Sequence, residues 1–139
     1  MIVNTYSVRD LDKRARARAV LDRVVSGGRG ALSTQVLGEV FRVLTARLEP
    51  ALSAAEGMAQ LANLVRTWPV LSITPPIVLE AARGVRDHQL SYWDAQLWAT
   101  ARMNQVPTIL TEDAAHGRVL EGIRYLNPFD RAFDLGALD

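Results

Sequence analysis

The chain has 139 residues, 49% of them apolar and 22% charged, with a net charge of +1 and no cysteine. That is the size of one ordinary domain, able to bury roughly 68–70% of the surface of its unfolded chain. The balance excludes a disordered chain, a disulfide scaffold and a thiolate metal site, and no apolar run approaches the ~18 residues of a membrane span. The lack of cysteine fits a reducing cytoplasm. Met1-Ile2-Val3-Asn4 is too short for a signal peptide's apolar region, and Arg9 follows soon after. Lys13, Arg14, Arg16, Arg18, Arg23 and Arg29 crowd the start, and only one of the sixteen basic residues is lysine. Arginine suits bidentate contact with phosphate or with a partner's carboxylates. A solvated helix face explains the cluster equally well.

The chain reads as helices separated by short apolar runs. Lys13 to Ser26 is a predicted helix, stopped by Gly27-Gly28. Gly30-Ala31-Leu32 is a strand candidate, and Ser33 an N-cap for a helix reaching about Arg47. Ser53-Ala54-Ala55-Glu56 has the capping-box pattern and opens a helix to about Thr67. Val70 to Thr74 reads as a strand. Thr74 then caps a helix with Pro75 at its first position, running to about Asp87. A helix from Ser91 to about Asn104 precedes a buried strand, Thr108-Ile109-Leu110. A short helix is expected near Ala114 to Glu121, then a last strand, Arg124-Tyr125-Leu126. The tail beyond Asn127-Pro128 reads as loose. Short strands alternating with longer helices imply an α/β domain with a parallel sheet covered on both faces. Sites in such sheets form beyond the carboxyl ends of the strands.

Three carboxylates fall in that zone. Glu39 lies at the edge of the apolar arc of its helix, beside Val36 and Val43. An ordinary boundary glutamate is the plainer alternative. Asp94 shares a stripe with Leu97, Trp98 and Ala101, which would carry it into an apolar face. Alternatively it completes a capping box with Ser91. Asp113 ends the run Leu110-Thr111-Glu112-Asp113, where an N-cap is the alternative and Glu112 is expected to point elsewhere. Carboxylates ~4 Å apart repel by ~4 kcal/mol at an effective dielectric of 20, so a fold that gathers them needs protons or a cation. Oxygen-only ligands select Mg²⁺ or Mn²⁺ over Zn²⁺, and such sites hydrolyse phosphodiesters with activated water. His88 sits at a helix end beside Asp87 and Gln89, and His116 in a short exposed segment, where a solvated surface histidine is the plainer alternative to substrate contact. No Gly-rich phosphate loop follows a strand, and no His–His metal spacing occurs.

Three segments together resemble a PIN-domain protein, in particular a VapC-type toxin of a toxin–antitoxin pair. They are Ala31-Leu32-Ser33-Thr34-Gln35-Val36-Leu37-Gly38-Glu39-Val40-Phe41, Leu90-Ser91-Tyr92-Trp93-Asp94-Ala95 and Ile109-Leu110-Thr111-Glu112-Asp113, and the likeness spans about Asp10 to Phe129. Glu39, Asp94 and Asp113 match the second, third and fourth acidic positions of that family, and Thr111 the hydroxyl residue often found before the fourth. The resemblance implies a three-layer α/β/α fold with a parallel sheet of about five strands. It implies single-strand endoribonuclease activity with Mg²⁺ or Mn²⁺, a homodimer, and a VapB-like antitoxin that blocks the site with a basic side chain. An antitoxin segment is expected along the Glu39-to-Leu48 and Ser53-to-Thr67 helices, near Phe41, Met58 and Trp68. The departure is at the start, where the family has a strand ending in Asp-Thr-Asn. Either Asn4-Thr5 stands in for it, or the ungapped match leaves the first strand and first acid out of this chain.

Two other functions compete. A PIN-fold binding or regulatory module that has lost catalysis would still pair with an antitoxin or with itself. A flavodoxin-like signalling domain would share the layers but give Glu39 no role.

Overall fold

The computed structural model describes residues 1–6 and 10–138. It opens on a 3₁₀ helix over Ile2–Tyr6, not on a strand. Helix α1 (Leu11–Gly27) begins where the Asp10 side chain accepts from Lys13 N, and ends at Gly28, whose φ of 65° is left-handed. Strand β1 (Leu32–Ser33) runs straight into helix α2 (Thr34–Ala46), which Ser33 caps by accepting from Val36 N. Helix α3 (Ala54–Thr67) carries the complete capping box of Ser53 and Glu56. Strand β2 (Val70–Leu71) is shorter than the predicted Val70–Thr74. Helix α4 (Pro75–His88) starts on proline as expected, although Thr74 makes no side-chain cap. Helix α5 (Tyr92–Met103) is capped by Ser91, and strand β3 covers Thr108–Leu110. No helix among the described residues is long and apolar enough to cross a membrane.

The segment expected as a helix near Ala114 to Glu121 is instead a turn followed by strand β4 (Val119–Leu120), which pairs antiparallel with β5 (Ile123–Leu126). The reason is turn chemistry. Glu121 and Gly122 both have positive φ, 44° and 85°, as a two-residue type I′ hairpin requires. The sheet itself differs from the expected five parallel strands. Among the described residues β1 pairs with β2 in one parallel two-stranded sheet, and the second sheet has the order β3-β5-β4. Among the described residues no strand joins β1 to β3.

The apolar cores follow this division. One gathers Ile77, Ala81, Ala95, Trp98, Ile109 and Tyr125 under α4 and α5. Another holds Ile2, Leu32, Val40, Leu44 and Trp68. The third joins Val20 of α1 to Leu126 and Phe133. The segment after Pro128, expected to be loose, is therefore docked through Phe133. Arg16 reinforces the dock by donating to the backbone oxygens of Pro128, Asp130 and Phe133. Leu135–Leu138 forms a last 3₁₀ helix, and Asp139 lies outside the described residues.

Candidate functional site

A cavity of about 620 Å³ lies between β1 and β3 and reaches the ends of both strands. Glu39, Asp94, Glu112 and Asp113 all line it, with Thr111. The fold thus brings the three predicted carboxylates to one space, although 74 residues separate the first from the last in sequence (113 − 39). Local structure explains each placement. Glu39 stands on the second turn of α2, directly after β1. Asp94 stands in the first turn of α5. Thr111 and Asp113 follow β3, where Asp113 N donates to Thr111 Oγ1 at 3.2 Å.

Their environments differ from the sequence reading in three ways. Asp94 is exposed at the mouth rather than buried in an apolar face. Its Oδ2 accepts from the Ser91 hydroxyl at 2.7 Å, while Ser91 Oγ accepts from Asp94 N at 3.2 Å. The capping alternative is therefore realised, and the carboxylate still faces the cavity. Asp113 caps no helix, because the next element after it is strand β4. Glu112 does not point elsewhere. It pairs with Lys13 and accepts from Asn4 Nδ2 at 3.2 Å. Burial, the largest single influence on Glu112, pushes its pKa up. The Lys13 and Asn4 contacts and nearby positive charge outweigh that and hold it below the ordinary value. Asn4 is thereby committed to Glu112 from a 3₁₀ helix, which is not the strand position a stand-in for the first acid would need.

Several site residues escaped the sequence reading. Gln35 Nε2 donates to Glu39 Oε1 at 3.0 Å and to Trp93 O at 3.1 Å, and Gln35 Oε1 accepts from Gln96 Nε2 at 2.9 Å. Tyr92 hydroxyl donates in turn to Gln96 Oε1 at 3.0 Å. This chain of amides fixes α2 against α5 and so sets Glu39 relative to Asp94. The i,i+4 spacing of Gln35 and Glu39 was its one visible signal. Trp93, 62% exposed, stands over the same mouth. The Met1 ammonium is also there. Its pKa is lowered by burial, against the opposing pull of Glu112, Asp113 and Glu39.

Neither histidine is a free surface group. His88 Nε2 lies 2.6 Å from Glu121 Oε1 and its ring meets Trp98 edge-on. His116 Nδ1 accepts from Asn127 N at 3.2 Å. Trp68, expected on a partner-facing surface, is only 8% exposed and belongs to a core, whereas Met58 is 67% exposed.

All the acidic donors at the cavity are oxygens, the right chemistry for Mg²⁺ or Mn²⁺. Their spacing is not. Among the described residues no group of three Asp, Glu or His side chains could hold one metal ion. The family model of the PIN domain matches residues 2–121, a span that includes Glu39, Asp94, Thr111 and Asp113. A search of curated proteins returned no match.

Proposed function

Since the chain belongs to the PIN domain family, whose members are generally nucleases, we propose that it is an endoribonuclease of the VapC toxin type, dependent on Mg²⁺ or Mn²⁺. The observation that carries this reading is the common cavity of Glu39, Asp94 and Asp113 at the carboxyl ends of β1 and β3. In the proposed roles Glu39, Asp94 and Asp113 would have to draw closer than they stand here to hold a metal ion and serve catalysis, with Thr111 in support. The substrate is single-stranded or loop RNA, whose bases are unstacked and open to contact. A Mg²⁺ or Mn²⁺ ion held by these residues would supply charge neutralisation and an acidified water. The protein's own part is to hold Glu39 by the Gln35–Gln96 chain and Asp94 by Ser91. The proposed partners are a VapB-like antitoxin, whose basic side chain would enter the acidic mouth, and a second copy of the chain.

The open spacing of the carboxylates favours one competing reading, a PIN-fold binding module without catalysis. The deciding experiment is cleavage of end-labelled single-stranded RNA by the purified chain with Mn²⁺ and with EDTA. Mn²⁺-dependent internal cuts are expected. No cleavage by this chain, nor by one that supplies a further acid at the cavity, would leave the binding module.

A further inference from the structure

An indole stands open at the mouth of the cavity. Of the three tryptophans, Trp68 is 8% exposed and Trp98 is fully buried, whereas Trp93 is 62% exposed and lines the cavity together with Asp94. A ring of that size left in water forgoes the burial that the other two obtain. Its place in the helix sets it next to the acids. Trp93 is the second residue of α5 and Asp94 the third. Successive helix positions point about 100° apart, so the indole stands beside the carboxylate and does not cover it.

The exposed ring is held in place. The Tyr92 ring lies 5.3 Å from it, centroid to centroid, with the two planes 74° apart, so the pair forms a corner. Trp93 O accepts from Gln35 Nε2 at 3.1 Å, and the same amide donates to Glu39 Oε1 at 3.0 Å. Gln96 closes the circuit, accepting from the Tyr92 hydroxyl and donating to Gln35 Oε1. One network therefore positions both aromatic residues and Glu39. Its amides satisfy one another. What the corner offers a ligand is flat aromatic surface and not a hydrogen-bonding edge. A flat, rigid group fits it, with a face on one ring and an edge toward the other. Because the residues that carry the corner are already fixed, little ordering remains to be done on binding.

We propose that Trp93 is a specificity-determining residue: in the corner with Tyr92, its indole stacks the unstacked RNA base next to the phosphodiester that the carboxylates face, and it selects a purine there. The inference rests on the RNA reading of this site. Adjacent positions on one helix turn place the base beside the acids, while the phosphodiester lies at them. Stacking needs no hydrogen-bond readout and strengthens with the area of the base, so a purine gains over a pyrimidine and the bases beyond that position go unread.

The test follows the indole itself. With Trp68 and Trp98 buried, the emission that acrylamide quenches reports Trp93. The full chain is titrated with two short single-stranded RNAs, one of uracil alone and one with a single central adenine, in EDTA and again with Ca²⁺. The adenine RNA should shield Trp93 from acrylamide and bind several-fold more tightly than the uracil RNA. Trp93→Ala should weaken that binding roughly tenfold, the scale of one lost base stack, and Trp93→Phe should restore part of it. Neither variant should lower Tm appreciably, since the ring is exposed. In Mn²⁺-dependent cleavage, Trp93→Ala should raise KM more than it lowers kcat and should erase the preference for cuts beside a purine, with Mn²⁺ affinity unchanged. Shielding by neither RNA would overturn the proposal, and shielding by an arginine-rich peptide in their place would assign the ring to a basic partner. Equal binding of the two RNAs, or binding that Trp93→Ala leaves intact, would also overturn it. So would shielding that grows with protein concentration alone, which would make the ring a contact between copies. Purine-selective shielding without cleavage would uphold the stacking residue in a binding module. Cleavage that ignores Trp93 would uphold the nuclease and remove the stacking residue, so the two readings fail separately.

Discussion

A Cβ on Gly30 would overlap the Trp68 ring and Val24 Cγ1, so glycine is required there by close approach rather than by backbone freedom. Overpacking of this kind costs about 1–3 kcal/mol. Gly30→Ala should therefore lower Tm by several degrees in thermal unfolding, with near-UV circular dichroism reporting the displaced indole. Asp94 makes a different prediction. It is exposed and its hydrogen bonds are local, so Asp94→Asn should change stability by no more than ~1 kcal/mol, the scale of a first-turn charge on the helix dipole. If Asp94 is a ligand, the same variant should lose at least a hundredfold in RNA cleavage, measured in a chain that cleaves, and bind Mn²⁺ more weakly. Unchanged cleavage would reduce Asp94 to its capping role. The sequence disclosed that these acids would meet, and they do line one cavity. It did not disclose Gln35, Gln96 or Lys13, since a hydrogen bond between residues distant in sequence has no periodicity to reveal it. It also misjudged Asp94, because the stripe rule ignores that a first-turn residue sits at the open end of the helix.

The seam between α4, α5 and the β4–β5 turn is held by charge around a buried ring. Arg83 donates to Glu80 and Glu121, and its guanidinium lies 5.1 Å from the Trp98 ring centroid. Arg102 and His88 also face Glu121, and Asp87 lies beside Arg83. The hydrogen bonds from Arg83, then His88, hold the Glu121 carboxyl down to about 2. An unfolded glutamate titrates near ~4.3. A depressed carboxyl adds stability above its unfolded pKa and loses it as pH falls through the folded one. Tm should therefore drop between about pH 4.5 and pH 2, and Glu121→Gln should flatten that part of the Tm–pH curve. An identical slope in the variant would dismiss Glu121 as a contributor. At this scale the sequence was most legible where caps are local. Ser33, Ser53 with Glu56, Pro75 and Ser91 each start a helix within one residue of its observed first position. Legibility failed at Val119 to Gly122. It was read as the end of a short helix, and Glu-Gly is not among the dipeptides that usually announce the hairpin turn it makes.

Taken whole, the molecule consists of a β1–β2 side and a β3–β5–β4 side, each with a core of its own. Strand positions could be read from apolar runs, but continuity of the sheet could not, because a strand's partner is chosen by backbone groups that every sequence carries alike. The tail was misread for a related reason. Phe133 lies in a segment with charged residues at Asp130, Arg131 and Asp134, and only the docked fold shows it packed on Val20 and Leu126. Phe133→Ala should cost about 3–5 kcal/mol, a large share of a total of roughly 5–15 kcal/mol. Urea unfolding should read it, and a loss below ~1 kcal/mol would mean the dock is superficial. That dock also sets an order of events during synthesis. The apolar face of α1 leaves the ribosome well before Phe133 and the carbonyls that receive Arg16, since 113 residues separate Val20 from Phe133 (133 − 20). At roughly 5–20 residues per second, the newborn helix waits on the order of ten seconds for its cover. Through that interval Val20 is open to chaperones and proteases, and a ribosome that stalls before Phe133 leaves it so.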